Sequence, residues 1–182
     1  GKNMKVKEAS DGNGGVFASL RKTGMLSYMK ERGVKWIFIG GVDNCLVKMV
    51  DPVLMGIAID KKVTAAGKSV VKANPKEKVG VFCKKNGRPS VIEYTEIPDD
   101  MSEQVDDNGE LVFGESHILC NLFNIDAIER MGNKPLPYHT AFKKATYIDK
   151  DGNKVVPDGP NAYKFEAFLF DAFGELDDMA IL

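Results

Sequence analysis

Apolar residues fall along this chain in short runs, most of them closed by glycine. Residues 16–22 and 25–31 carry the spacing of short helices, the first ending at Gly24 and the second at Gly33. Lys35-Trp36-Ile37-Phe38-Ile39-Gly40 is a near-continuous apolar run, the pattern of a strand buried on both faces. A helix is expected over 53–61, after Asp51-Pro52, and strands over 68–72, 78–84 and 90–96. Between the last two, Lys85-Asn86-Gly87-Arg88 carries the Asn-Gly signal of a tight hairpin. A further strand is expected over 110–113, a helix over 125–131, and a hairpin over 147–155 around Lys150-Asp151-Gly152-Asn153. Phe165, Phe168, Leu169 and Ala172 stand at offsets 0, 3, 4 and 7, so an amphipathic helix is expected over 161–173. Residues 5–10 fit either a short strand or an entry loop, and Asp11-Gly12-Asn13-Gly14-Gly15 reads as a loop. A glycine-rich loop, then helices, then a buried strand is the grammar of an α/β fold with a mixed, mostly parallel sheet and flanking helices.

Composition narrows the function. The 182 residues fit one domain, and 43% hydrophobic with 28% charged residues is the balance of a chain with a buried core. Twenty-five basic against 26 acidic residues give a net charge of -1, without the basic excess that nucleic acid or an anionic membrane surface calls for. Neither a membrane-spanning run nor a secretory signal is visible in the sequence. Cys45, Cys83 and Cys120 are odd in number and widely spaced, which suggests no disulfide framework or zinc site and favours a reducing, cytoplasmic setting.

The candidate chemistry lies in loops. Residues 11–15 open a helix and read either as a tight turn or as an anion or nucleotide site, although they match neither the GxGxxG nor the P-loop fingerprint. Asp43 follows the apolar run, where ligands bind in open α/β sheets, and reads as a Mg²⁺ ligand or as a helix N-cap. Glu93, sharing a face with Val91 and Thr95, reads as a solvated strand glutamate or as a partly buried carboxylate seeking hydroxyl donors. Lys164 is an exposed lysine or a point charge for a phosphate. His117 and His139 lack the neighbours of a metal site, and Ser116-His117 has no GxSxG context.

The order of these fragments resembles the central part of the UDP-sugar pyrophosphorylases, most closely the UDP-N-acetylglucosamine pyrophosphorylase branch. The resemblance is carried by Asp11-Gly12-Asn13-Gly14-Gly15, by Val42-Asp43-Asn44-Cys45-Leu46-Val47-Lys48 with Asp51-Pro52, and by Asn74-Pro75-Lys76-Glu77-Lys78-Val79-Gly80-Val81. Val91-Ile92-Glu93-Tyr94-Thr95-Glu96, Lys143-Lys144 and Pro157-Asp158-Gly159-Pro160-Asn161-Ala162-Tyr163-Lys164-Phe165-Glu166-Ala167-Phe168 complete it.

The resemblance implies a Rossmann-like, GT-A-like nucleotidyltransferase core. It implies a uridylyltransferase that forms UDP-sugar and pyrophosphate from UTP and a sugar 1-phosphate, with Mg²⁺ as cofactor. By that likeness Gly12 contacts the uracil region and Asn13 the sugar side. Asp43 sits by the ribose and the metal, Gly80 and Glu93 hold sugar hydroxyls, and Lys164 faces the phosphates. Phe168 falls near the sugar pocket. The likeness also places a glycine-rich phosphate loop before Gly1 and an extension after Leu182, making 1–182 the central part of a catalytic domain, inactive or nearly so alone. At Gly114-Glu115-Ser116-His117 the chain departs from the branch, with His117 where a sugar-touching asparagine is expected. Glucose and galactose 1-phosphate therefore stay open beside N-acetylglucosamine 1-phosphate. A non-catalytic UDP-sugar-binding or regulatory module of the same fold is the rival reading.

Overall fold

The fold is organised by a strand absent from the sequence reading. A computed structural model describes residues 8–182. Its elements run α1 (Gly15–Lys22), α2 (Met25–Glu31), β1 (Trp36–Gly40), α3 (Pro52–Asp60), β2 (Ala65–Val71), β3 (Val81–Lys85), β4 (Arg88–Ile92), α4 (Asp99–Ser102) and β5 (Glu115–Asn124). Then follow α5 (Ile125–Met131), β6 (His139–Lys143), β7 (Tyr147–Ile148), β8 (Lys154–Val155), β9 (Ala162–Glu166), a 3₁₀ helix (Leu169–Glu175) and β10 (Ala180–Ile181). Of the segment 5–10, residues 5–7 lie outside the described residues and 8–10 take no regular structure.

Ten-residue β5 is the axis of a six-stranded sheet ordered β10-β2-β5-β3-β4. Its one edge pairs with β2, and its other edge is shared, with β1 along Cys120–Asn124 and β3 at Ser116. Between these two partners Leu119 takes a positive φ of 51°. That backbone break is where the shared edge changes partner.

Alternation along the strands feeds two cores. Ile37, Ile39, Ala65 and Phe123 pack with α1, α2, α5 and the 3₁₀ helix, while Trp36, Phe38, Ala66 and Leu122 pack with Leu54 and Ala58 of α3. α3 is started by Asp51, whose Oδ1 accepts the Val53 N–H at 3.0 Å and whose Oδ2 is ion-paired with Lys68 of β2.

Several expectations are corrected. The sheet is mixed, but among the described residues only β10 with β2 is parallel; the β1–β5, β2–β5, β3–β4 and β3–β5 pairings are antiparallel. Residues 110–113 contribute a single bridge, Val105 to Leu111, and the strand lies just beyond them in β5. Residues 161–173 do not form one helix. The aromatic pair Tyr163 and Phe165 turns outward on β9, Lys164 and Glu166 turn inward, and the backbone changes direction before the 3₁₀ helix. Period-2 alternation next to β6 overrides the apparent helical stripe. The run at 35–40 is a strand, but a half-buried one. The hairpin at Asn86-Gly87 has positive φ at both residues, as its turn signal requires, and β7–β8 closes the second expected hairpin.

Phe123 is fully buried, edge-on to Phe17 at 5.7 Å and 6.0 Å from Phe173. Phe123→Ala is expected to cost about 3–5 kcal/mol, read as a lower urea midpoint with an unchanged slope. A loss under 1 kcal/mol would mean this ring does not tie β5 to the layers beneath it.

Candidate functional site

The glycine-rich loop is laced to a segment far along the chain. Gly14 donates its N–H to Ala167 O at 2.8 Å, and Ala167 donates to Asp11 O at 2.7 Å. Asn13 Oδ1 accepts the Leu169 N–H at 2.8 Å, so the asparagine caps the 3₁₀ helix. Gly12 has φ +94°, and a Cβ there would lie 2.2 Å from Ala167 O. Only glycine allows that approach. The loop expected to meet a nucleotide therefore also fixes Phe168, the residue between Ala167 and Leu169.

Two further loops attach to β5 on either side of its backbone break. After β1, Gly41 donates to Leu119 O at 3.1 Å, and Asp43 stands exposed in the turn that follows. Asp43 Oδ1 folds back over Gly41, 3.1 Å from where a Cβ would be. Before β3, Gly80 O accepts the His117 N–H at 2.8 Å. A Cβ on Gly80 would sit 3.1 Å from Glu93 Oε1. The bare backbone of Gly80 thus leaves room for the Glu93 carboxylate.

Glu93 lies just past β4, not within a strand as the alternation suggested. It opens a turn, its carbonyl accepting the N–H groups of Glu96 at 2.9 Å and Ile97 at 3.1 Å. Its half-buried carboxyl is held above the ordinary carboxylate range, first by desolvation and then by the neighbouring Glu96 and Asp171, with His139 opposing. With no cation bonded to it among the described residues, this desolvated carboxylate is a built-in acceptor for hydroxyl donors.

Glu93 and Phe168 line one cleft of about 540 Å³, together with His139, Lys143 and Glu166. β6 and β9 form its wall. Their register places Ala141 opposite Lys164 and His139 opposite Glu166. Lys164, expected on a helix, stands on β9 with its ammonium 2.7 Å from Glu166 Oε1. Sequence reasoning weighed His139 only as a metal ligand and did not bring it together with Glu96 and Asp171, because the three are scattered along the chain and have no motif spacing.

His117 is turned elsewhere. Its Nε2 is 3.2 Å from Asn121 Nδ2, and its ring is met edge-on by Phe82, Phe170 and Phe173 at 5.1, 5.7 and 5.8 Å. Burial pushes its pKa down to about 4 against the opposing bond from Asn121, so it is a neutral imidazole at pH 7. Among the described residues no cluster of three metal-ligating side chains occurs, and no helix is long and apolar enough to cross a membrane.

Comparison with known proteins decides the family. Residues 2–169 match the family described as UTP–glucose-1-phosphate uridylyltransferase. The chain belongs to this family. Over 172 residues it is 39% identical to the mouse UDP-N-acetylhexosamine pyrophosphorylase-like protein 1, covering 93% of this chain and 34% of that protein. The UDP-N-acetylglucosamine pyrophosphorylase of Saccharomyces cerevisiae is 34% identical over 174 residues, covering 93% of this chain and 36% of its own. The crystal structure of the Trypanosoma brucei uridine diphosphate N-acetylglucosamine pyrophosphorylase, in complex with inhibitor, superposes with a TM-score of 0.75 at 33% identity, over 95% of this chain and 36% of that one. The chain spans about a third of the length of these relatives.

In this member of the uridylyltransferase family the buried His117 makes stability depend on acid. Its folded pKa lies below the unfolded value, so the unfolded chain binds the extra proton between the two. Stability is full above pH 6.5 and falls as pH drops toward 4, by about 3 kcal/mol from this residue. Urea unfolding at both pH values should show this loss in the wild type and a smaller one in His117→Phe. Equal losses would place the acid sensitivity elsewhere.

Proposed function

We propose that the protein to which this chain belongs is a uridylyltransferase, with residues 1–182 forming the central part of its catalytic domain. An oxygen of a sugar 1-phosphate attacks the α-phosphorus of UTP, a new P–O bond forms, the α–β bridge breaks, and pyrophosphate leaves with its electron pair. The observation that carries this reading is Glu93 folded against the bare backbone of Gly80 and lining the same cleft as Phe168. A desolvated acceptor beside an aromatic face is the chemistry of a sugar site.

The residues divide the work. Glu93 accepts sugar hydroxyls, and Gly80 admits the sugar close to the backbone. Asn13 lies on the sugar side through the amide group whose oxygen already caps Leu169. Phe168 covers the sugar face. Gly12 offers backbone to the uracil. His117 contributes by holding Gly80 through its backbone N–H and by filling the aromatic layer below. Lys164 carries positive charge toward the phosphates, its ammonium oriented by Glu166. No protein nucleophile is needed, since this transfer depends on positioning and charge neutralisation.

Asp43 is the residue that would hold Mg²⁺ and flank the ribose. One exposed carboxylate suits an ion that keeps water and substrate oxygens as its other ligands. When bound, Mg²⁺ offsets charge on the phosphates. The sugar is N-acetylglucosamine 1-phosphate or a hexose 1-phosphate such as glucose 1-phosphate, and a cytoplasmic setting suits the free cysteines. The rival, a UDP-sugar-binding module without turnover, shares the same cleft.

Pyrophosphate release by the full-length protein, with UTP, Mg²⁺ and four sugar 1-phosphates in turn (glucose, galactose, N-acetylglucosamine and N-acetylgalactosamine), tests the assignment. Release with one sugar supports it; binding of UDP-sugars without release from any favours the module. In the active protein Glu93→Ala should raise the KM for the sugar 1-phosphate about tenfold and leave that for UTP nearly unchanged. Equal rises for both substrates would remove Glu93 from the sugar side. Asp43→Ala should lower kcat about 10²–10³-fold, and an unaltered rate and Mg²⁺ dependence would refute its role.

A further inference from the structure

His139 lines the cleft from β6, between two carboxylates. Its Nδ1 lies 3.1 Å from Glu96 Oε1 and its Nε2 lies 3.0 Å from Asp171 Oδ2. Both ring nitrogens face carboxylate oxygens, so the protonated ring donates to both while a neutral ring can donate to only one. Each carboxylate is tied to a residue of the sugar side. Glu96 belongs to the turn whose first carbonyl is that of Glu93, which accepts the Glu96 N–H at 2.9 Å. Asp171 Oδ2 also accepts the Phe168 N–H at 3.3 Å, and the Phe168 ring lies 5.1 Å from the imidazole.

We propose that His139 is a positioning residue: bonded to Glu96 and Asp171, it sets the separation of Glu93 from Phe168 and with it the affinity for the sugar 1-phosphate. The proposal rests on the assignment of the sugar side made above.

The charges around the ring explain why one proton matters. Glu93 and Glu96 face it from the turn after β4, Glu166 from β9 and Asp171 from the 3₁₀ helix. Of the nearby lysines, Lys164 is engaged by Glu166, and Lys143 lies farther along β6. Burial alone would lower the His139 pKa, but the bonds and charges of Asp171 and Glu96 outweigh it and hold the imidazole above its ordinary value. The raised pKa fixes the sign. The clamp is whole below the ordinary histidine range and is lost as pH rises through the raised folded value, leaving Glu93, Glu96 and Asp171 to repel one another.

The test is steady-state kinetics of the full-length protein across pH 6–9, with UTP, Mg²⁺ and the sugar 1-phosphate it accepts. In the wild type the sugar KM should rise several-fold with pH while the UTP KM stays level. His139→Gln should show a sugar KM about tenfold higher at pH 6 and no further rise, with kcat changing much less. His139→Arg keeps the cation and should restore a low KM at every pH. Should His139→Gln fail to fold, Glu96→Gln removes one exposed partner and should raise the sugar KM in the same direction. A wild-type sugar KM that ignores pH, or a well-folded His139→Gln with unaltered KM, overturns the proposal.

A second arm needs no turnover. In the full-length protein the ring titrations of His139 and His117 are assigned by NMR through His139→Gln and His117→Phe, His139 high and His117 low. The Phe168 amide should titrate with His139, and Glu96→Gln should lower that midpoint. If no sugar supports turnover, the reading of the reaction fails and this arm decides alone: a Phe168 amide that ignores His139 overturns the clamp.

Discussion

The structure depends on a contact between two pieces of backbone more than 150 residues apart. Asp11 and Gly14 exchange hydrogen bonds with Ala167, and Asn13 caps the helix that starts at Leu169. The contact exists because Gly12 has no side chain where the Ala167 carbonyl lies. From it follow the entry of α1, the placement of Phe168 on the cleft and the start of the 3₁₀ helix that supplies Leu169, Phe170, Ala172 and Phe173 to the core. A loop that reads as ligand-binding is thus also a staple of the fold. The two roles are compatible, since the same small residues that admit a ligand admit the packed strand end.

A second organising device is the break in β5. A regular strand would keep one partner along each edge. Leu119 in the left-handed region lets β5 take β1 on one side of the break and β3 on the other. The turn carrying Asp43 and the backbone of Gly80 are held beside that change of partner. Glycines at positions 41 and 80 leave space there for the carboxylates of Asp43 and Glu93. The candidate site therefore places two carboxylates over bare backbone, Asp43 at Gly41 and Glu93 at Gly80.

The helices at 15–22, 25–31 and 52–60 were legible in the sequence, because each has a local start or stop at Asp51-Pro52, Gly24 or Gly33. The Asn86-Gly87 hairpin was legible for the same reason. β5 was not, because its polar members Ser116, His117 and Asn121 break the apolar pattern expected of a buried strand, and only the fold brings His117 and Asn121 within hydrogen-bond distance. The segment 161–173 misled because a helical spacing of aromatic residues coexists with the strand alternation of Tyr163 to Glu166, and only pairing with β6 separates the two. Within the candidate site, Gly12, Asn13, Asp43, Gly80, Glu93, Lys164 and Phe168 could be named from an ordered resemblance. The corner of Glu96, His139 and Asp171 could not, since nothing in the sequence brings residues 43 and 32 positions apart together.

Amide hydrogen exchange at Ala167 and Leu169, compared between the wild type and Gly12→Ala, tests the central claim most directly. The account predicts slow exchange at both amides in the wild type and loss of that protection in the variant, with Leu122 in β5 still protected. Unchanged protection at Ala167 and Leu169 in Gly12→Ala would contradict it, because the glycine loop would then not be what holds the Phe168 segment in place.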